Sequence, residues 1–106
     1  MMAPIEDATL LDAMVEVTWT QLLRASGLPE SELRELVRYG ALIPRDPDAP
    51  TWTFEARWLM VAKTASRIRH DFELDPYGVS VVLSYIERIE RLESEIRALR
   101  AQLGRP

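Results

Sequence analysis

Arg67-Ile68-Arg69-His70-Asp71-Phe72-Glu73-Leu74-Asp75-Pro76-Tyr77-Gly78-Val79 is where one helix must stop and another begin. Asp75 suits an N-cap, because its carboxylate can accept hydrogen bonds from the free N–H groups of the following turn. Pro76 then falls at the first helical position, where its missing N–H costs nothing. On the other side, Arg67, Arg69 and His70 place cations where the dipole of a preceding helix is negative. The stretch therefore predicts one helix ending near Asp71 and a second starting at Pro76.

The second helix reads on to about Leu103. Val82, Tyr85, Ile89, Leu92, Ile96, Leu99 and Leu103 follow one another at steps of three and four, the a/d seam of a coiled coil. That seam is the expected dimerisation surface; a helix folded back on its own domain is the other reading. Glu87 with Arg91, and Glu93 with Arg97, have the i,i+4 spacing of stabilising pairs, at about 0.3 kcal/mol each. With Ile89 at an a position, Arg88 and Glu95 fall at g and Glu93 and Arg100 at e. Opposite charges then meet in a parallel pair, and antiparallel pairings are also open, so charge does not choose the orientation.

Ahead of the joint the pattern is mixed. Residues 1–13 have no clear period and read as a tail, with a short turn at Ala8–Asp12. Met14 to Thr18 alternates in polarity, as a short strand does. Thr18 and Gln21 form a capping box for a helix from Trp19 to Ser26 that stops at Gly27. After the Gly27-Leu28-Pro29 turn, a second helix is expected from Glu30 to Tyr39, with Leu33, Leu36 and Val37 as its apolar stripe and Gly40 as its C′ residue. Two short helices around a tight turn are a helix-turn-helix. Ala41–Arg45 and Thr51–Phe54, flanking the Pro/Asp loop at 46–50, read as a hairpin, the wing of a winged helix. Phe54, Trp58, Val61, Ala65, Ile68 and Phe72 then mark the buried stripe of a third helix. Trp19, Trp52 and Trp58 read as core residues. The fold class is thus all-α with a small β wing: a winged helix-turn-helix domain at 14–75 and a coiled-coil dimerisation helix at 76–106.

Composition narrows function. At 106 residues, 47% hydrophobic and 28% charged, the chain is a globular domain with an extension. With the last helix standing out, about 75 residues remain for a core, a size at which oligomerisation helps stability. There is no cysteine and one histidine, and neither a phosphate-binding glycine loop nor metal-ligand spacing. No catalytic set, metal site or cofactor site is expected. His70 beside Asp71 could be an acid/base pair; a helix-end cation is the plainer reading. The chain opens with no signal-peptide pattern, and no apolar run approaches the ~20 residues of a membrane span. These features fit a cytoplasmic protein with no membrane partner.

The net charge is −4, which suits a basic protein partner better than phosphates. The second helix carries Glu30, Glu32 and Glu35 against Arg34 and Arg38, and the wing loop carries Asp46 and Asp48 against Arg45. Neither offers a cluster for base readout, so weak or no sequence-specific DNA binding is expected. Arg57, Lys63, Arg67 and Arg69 give the third helix a basic flank, either a phosphate stripe or a solvated face.

The ordered set of segments resembles a known family. Gly27-Leu28-Pro29-Glu30-Ser31-Glu32-Leu33, Gly40-Ala41-Leu42-Ile43-Pro44-Arg45, Trp52-Thr53-Phe54 and the joint follow, in order and spacing, the CbpM-type chaperone modulators, which have a MerR-like winged-helix body. The resemblance covers residues 15–103 and departs in the first dozen residues. It implies binding to the J-domain of a DnaJ/CbpA-like co-chaperone and inhibition of its work with a DnaK-type chaperone. It also allows nucleoid association through that partner. A J-domain presents a basic helix, so charge nominates Glu30, Glu32, Glu35, Asp71 and Glu73 as its contacts. A MerR-family transcriptional regulator is the alternative, and a coiled-coil adaptor for another basic partner is the third.

Overall fold

Two strands and four helices follow one another in the computed structural model, which describes residues 15–104. The expected N-terminal tail and Met14 lie outside the described residues. In chain order the elements are β1 (Glu16–Thr18), α1 (Trp19–Ser26), α2 (Glu30–Arg38), β2 (Thr53–Glu55), α3 (Arg57–Phe72) and α4 (Pro76–Leu103). The chain is mostly helical, with a small antiparallel sheet beside a helix-turn-helix.

Local chemistry accounts for the boundaries. Thr18 and Gln21 close their capping box, with Gln21 N–H on Thr18 Oγ1 at 3.1 Å and Thr18 N–H on Gln21 Oε1 at 2.9 Å. Gly27, at φ 69°, takes the left-handed conformation that ends α1. Ser26 is buried in the turn; it donates to the Leu23 carbonyl at 2.9 Å and accepts Leu28 N–H at 3.1 Å. The end of α2 is a Schellman motif. Gly40 N–H meets the Val37 carbonyl at 3.0 Å and Ala41 N–H meets that of Leu36 at 2.9 Å. Asp75 Oδ1 accepts Gly78 N–H at 2.8 Å, so the cap that opens α4 forms as its sequence implies.

The sheet pairs differently from the expected hairpin. β2 lies against β1, with Val17 opposite Phe54, and both are buried. Ala41–Arg45 contributes one backbone bond, from Arg45 N–H to the Thr53 carbonyl at 2.8 Å. The reason is in the residues: Leu42 and Pro44 both turn into the core, and Pro44 has no N–H to give a ladder.

The core joins Val17, Leu22, Leu33, Leu36, Leu42, Phe54, Ala62, Ala65, Ile68 and Val79. Ala62 and Ala65 let α3 approach α1 closely, while the first half of α4 packs on α2 and α3. Phe72 is not in the buried stripe: it is 68% exposed. The third helix outruns the core, Glu73 turns the chain left-handed at φ 52°, and Leu74 packs against the core instead. The three tryptophans pack against the core from its edge and stay partly exposed. α4 buries Val79 and Ser80 and half-buries Val82, Leu83 and Ile86; from Glu87 to Gly104 every residue is exposed. Glu87 and Arg91 pair at 3.5 Å, but Glu93 and Arg97 do not come within ion-pair distance.

Candidate partner-binding surfaces

The acidic face of α2 is less free than its spacing suggests. Glu30 accepts the Trp19 indole N–H and Arg34 Nη2, each at 3.0 Å. Those bonds, the indole first, hold its carboxyl below the ordinary carboxylate range. Arg34 in turn lies over the Trp19 ring at 5.4 Å and the Trp52 ring at 5.8 Å. The arginine at the centre of this helix is therefore engaged within the fold, where a DNA reader would keep it for phosphate or base. Glu32 accepts Arg69 Nε at 2.7 and 3.1 Å, and its side chain is only 18% exposed. Glu35 accepts the Tyr39 hydroxyl at 3.4 Å, and its carboxylate pushes that hydroxyl above its usual pKa.

The Arg69–Glu32 pair has a second effect. It fastens the first turn of α2 to the last turn of α3. Asp71, two residues on, faces the other side of α3, beside Lys63, Arg67 and His70 and the end of α1 at Ala25 and Ser26, so this pair does not join the carboxylates of the joint to those of α2. Asp71 and Glu73 are both exposed. His70 Nδ1 stands 3.4 Å from Asp71 Oδ1, and the His70 side chain is 89% exposed, a surface contact at the end of α3 rather than a pair set in a cleft. Among the described residues, no group of three or more His, Cys, Asp or Glu could hold a metal ion. The basic flank of α3 is partly neutralised: Arg69 by Glu32, and Arg57 by Glu55 at 3.1 Å.

The seam of α4 is a different surface. Tyr85, Ile89, Leu92, Ile96, Leu99 and Leu103 are each 46–84% exposed, a continuous apolar stripe. Val82, the first of the series, is half-buried against its own core. At 100° per residue the stripe is centred about 110° from Val79, the face that packs on the domain. The domain therefore does not cover it.

Three features escape sequence reasoning. Tyr39 and Tyr77 meet edge to face, 5.4 Å between ring centres, tying the end of α2 to the start of α4. The Trp19–Arg34–Trp52 stack depends on side chains distant in sequence. Ile43 and Met60 are apolar and exposed, at 53% and 64%. For Met60 there was a signal: Trp58-Leu59-Met60-Val61-Ala62 is an unbroken apolar run, and a one-sided helix cannot bury all of it.

Comparison with known proteins points one way. The family model of the MerR HTH family regulatory proteins matches residues 17–101. The chaperone modulatory proteins CbpM of Escherichia coli and of Shigella boydii are each 34% identical to this chain over 96 residues. That alignment spans 91% of this chain and 95% of each relative. No helix of the described residues is long and apolar enough to cross a membrane.

Proposed function

The chain belongs to the MerR HTH regulatory protein family and, within it, to the CbpM-type chaperone modulators; from that premise we propose that it binds the J-domain of a DnaJ/CbpA-like co-chaperone and inhibits its action with a DnaK-type chaperone. The observation that supports this reading is the row of carboxylates along α2, with Glu30 exposed, Glu35 half-exposed and Glu32 paired with Arg69. A basic helix of the partner is the complement of such a surface. The chain acts by binding, without catalysis or cofactor, as a cytoplasmic homodimer. Residues 14–75 form the binding body, and 76–106 the dimerisation helix. The same surface explains weak DNA binding: Arg34 is stacked on tryptophans, and the carboxylates repel phosphate.

Charge reversal tests the contact. Glu35→Lys, Asp71→Lys and Glu73→Lys are the clean probes. Glu32→Lys is not, because it would set a lysine against Arg69 in a half-buried site. Each clean reversal at a true contact should slow association with the host J-domain by roughly three- to tenfold and flatten its salt dependence, since rim charges act on encounter. Association rates measured across a salt series would show this. If all three variants associate like wild type while remaining dimeric, the acidic surface is not the contact.

A further inference from the structure

Where α2 ends, a groove of about 480 Å³ opens between the loop after Tyr39, the first half of α3 and α4. Its floor is apolar: Trp58, Val61, Leu83 and Ile86 line it and are only half-buried. Ile43 and Met60 stand on its rim, 53% and 64% exposed. Apolar rim side chains of this size gain by being taken out of water. Neighbouring apolar exposure of this kind marks an interaction surface.

Two observations narrow the occupant. On α4 the groove is lined by Ser80, Leu83, Ser84, Ile86, Glu87 and Glu90. At 100° per residue these are centred about 180° around the helix from the centre of the Ile89–Leu103 seam. A second copy paired through the seam leaves the groove open. The α4 wall from Ser80 to Glu90 is about 15 Å long, which accommodates about three turns of another helix. Charge decides the rest. Glu90 stands exposed at the far end, and Glu87 beside it is exposed and pairs with Arg91 at 3.5 Å, while Arg57 on the facing wall is bonded to Glu55 at 3.1 Å and lies over the Trp58 ring at 5.1 Å.

We propose that this groove receives an amphipathic helix of the partner, with its apolar stripe on Trp58, Met60 and Leu83 and a lysine or arginine at the Glu87–Glu90 end. Such a helix presents anchors at i, i+3 or i+4, and i+7 to a groove of this kind. The inference rests on the J-domain reading and locates the apolar half of that contact. Tyr39 joins the two halves: its hydroxyl meets Glu35 of the acidic surface and its ring closes one end of the groove.

The test is titration of the full-length chain with the purified J-domain of the host co-chaperone. Ile43→Glu, Met60→Glu and the double variant Glu87→Lys/Glu90→Lys are compared with wild type. Ile43 and Met60 are exposed, so these changes should leave the urea midpoint of folding close to that of wild type. Met60→Glu and Ile43→Glu should each weaken binding at least tenfold, chiefly by faster dissociation, and the double reversal should slow association. If wild type binds and the groove variants bind equally well, the groove is not the site, and the J-domain reading survives without it. If wild type binds no J-domain, both fall. If Met60→Glu changes the oligomeric state, the groove is an interface between copies and the proposal is overturned.

Discussion

Ile96→Asp should convert the proposed dimer to a monomer. Ile96 is 46% exposed in the single chain and sits between Leu92 at 47% and Leu99 at 57%. From Glu87 to Gly104 every residue of α4 is exposed, and a helix so little supported by packing is marginal in water. Pairing two seams buries Ile89, Leu92, Ile96 and Leu99 of both copies, at about 1.5–3 kcal/mol for each fully buried side chain. A carboxylate at the centre of the seam forfeits one of those terms and must be desolvated without a partner, so several kcal/mol are lost. Sedimentation should then report the 12.2 kDa chain mass, and circular dichroism should show reduced helix content as the unsupported arm frays. An unchanged dimer would rule out the seam, and a monomeric wild type would rule out the coiled coil altogether.

Phe54→Ala should cost about 3–5 kcal/mol of folding stability. Phe54 is fully buried, faces Val17 across the two-stranded sheet and stacks on Trp19 with 6.2 Å between ring centres. It ties the sheet to the helix-turn-helix. Against a typical total of about 5–15 kcal/mol, such a loss is a large fraction of the fold. Phe72→Ala is the matched control, because Phe72 is 68% exposed and its removal should stay within about 0.5 kcal/mol. Urea unfolding at fixed protein concentration measures both. A Phe54 loss below about 1 kcal/mol, or equal losses at the two sites, would contradict the packing described.

That pair also shows which parts of the fold are legible in sequence. Phe54 and Phe72 sit on the same helical period, and periodicity alone makes both core residues. What separates them is where the core ends, and that is set by Leu74 and Val79 arriving from beyond the joint. Features encoded within four residues were readable: the Thr18–Gln21 box, Gly27, the Gly40 turn, the Asp75–Pro76 start of α4 and the exposed seam. Features encoded across the chain were not. β2 pairs with β1 because Val17 and Phe54 are both buried there, and no local signal favours that over a hairpin. The candidate carboxylates show the same limit. Their positions on α2 follow from spacing, but Glu32 is held by Arg69, 37 residues away, and Glu30 by an indole from the preceding helix. The exposed groove beside Met60 needed three segments to meet, and only its unbroken apolar run announced it.

Calorimetric titration with the J-domain of its own host decides whether this chain modulates a chaperone through that contact. The titration belongs at ~150 mM salt, where non-specific electrostatic affinity is already weakened, with stimulation of the host DnaK-type ATPase followed on the same samples. Saturable binding is expected, with a matching loss of J-domain stimulation as the sites fill. No heat of binding and undiminished ATPase stimulation, together with submicromolar, sequence-dependent binding to promoter DNA under the same conditions, would make the chain a transcriptional regulator instead.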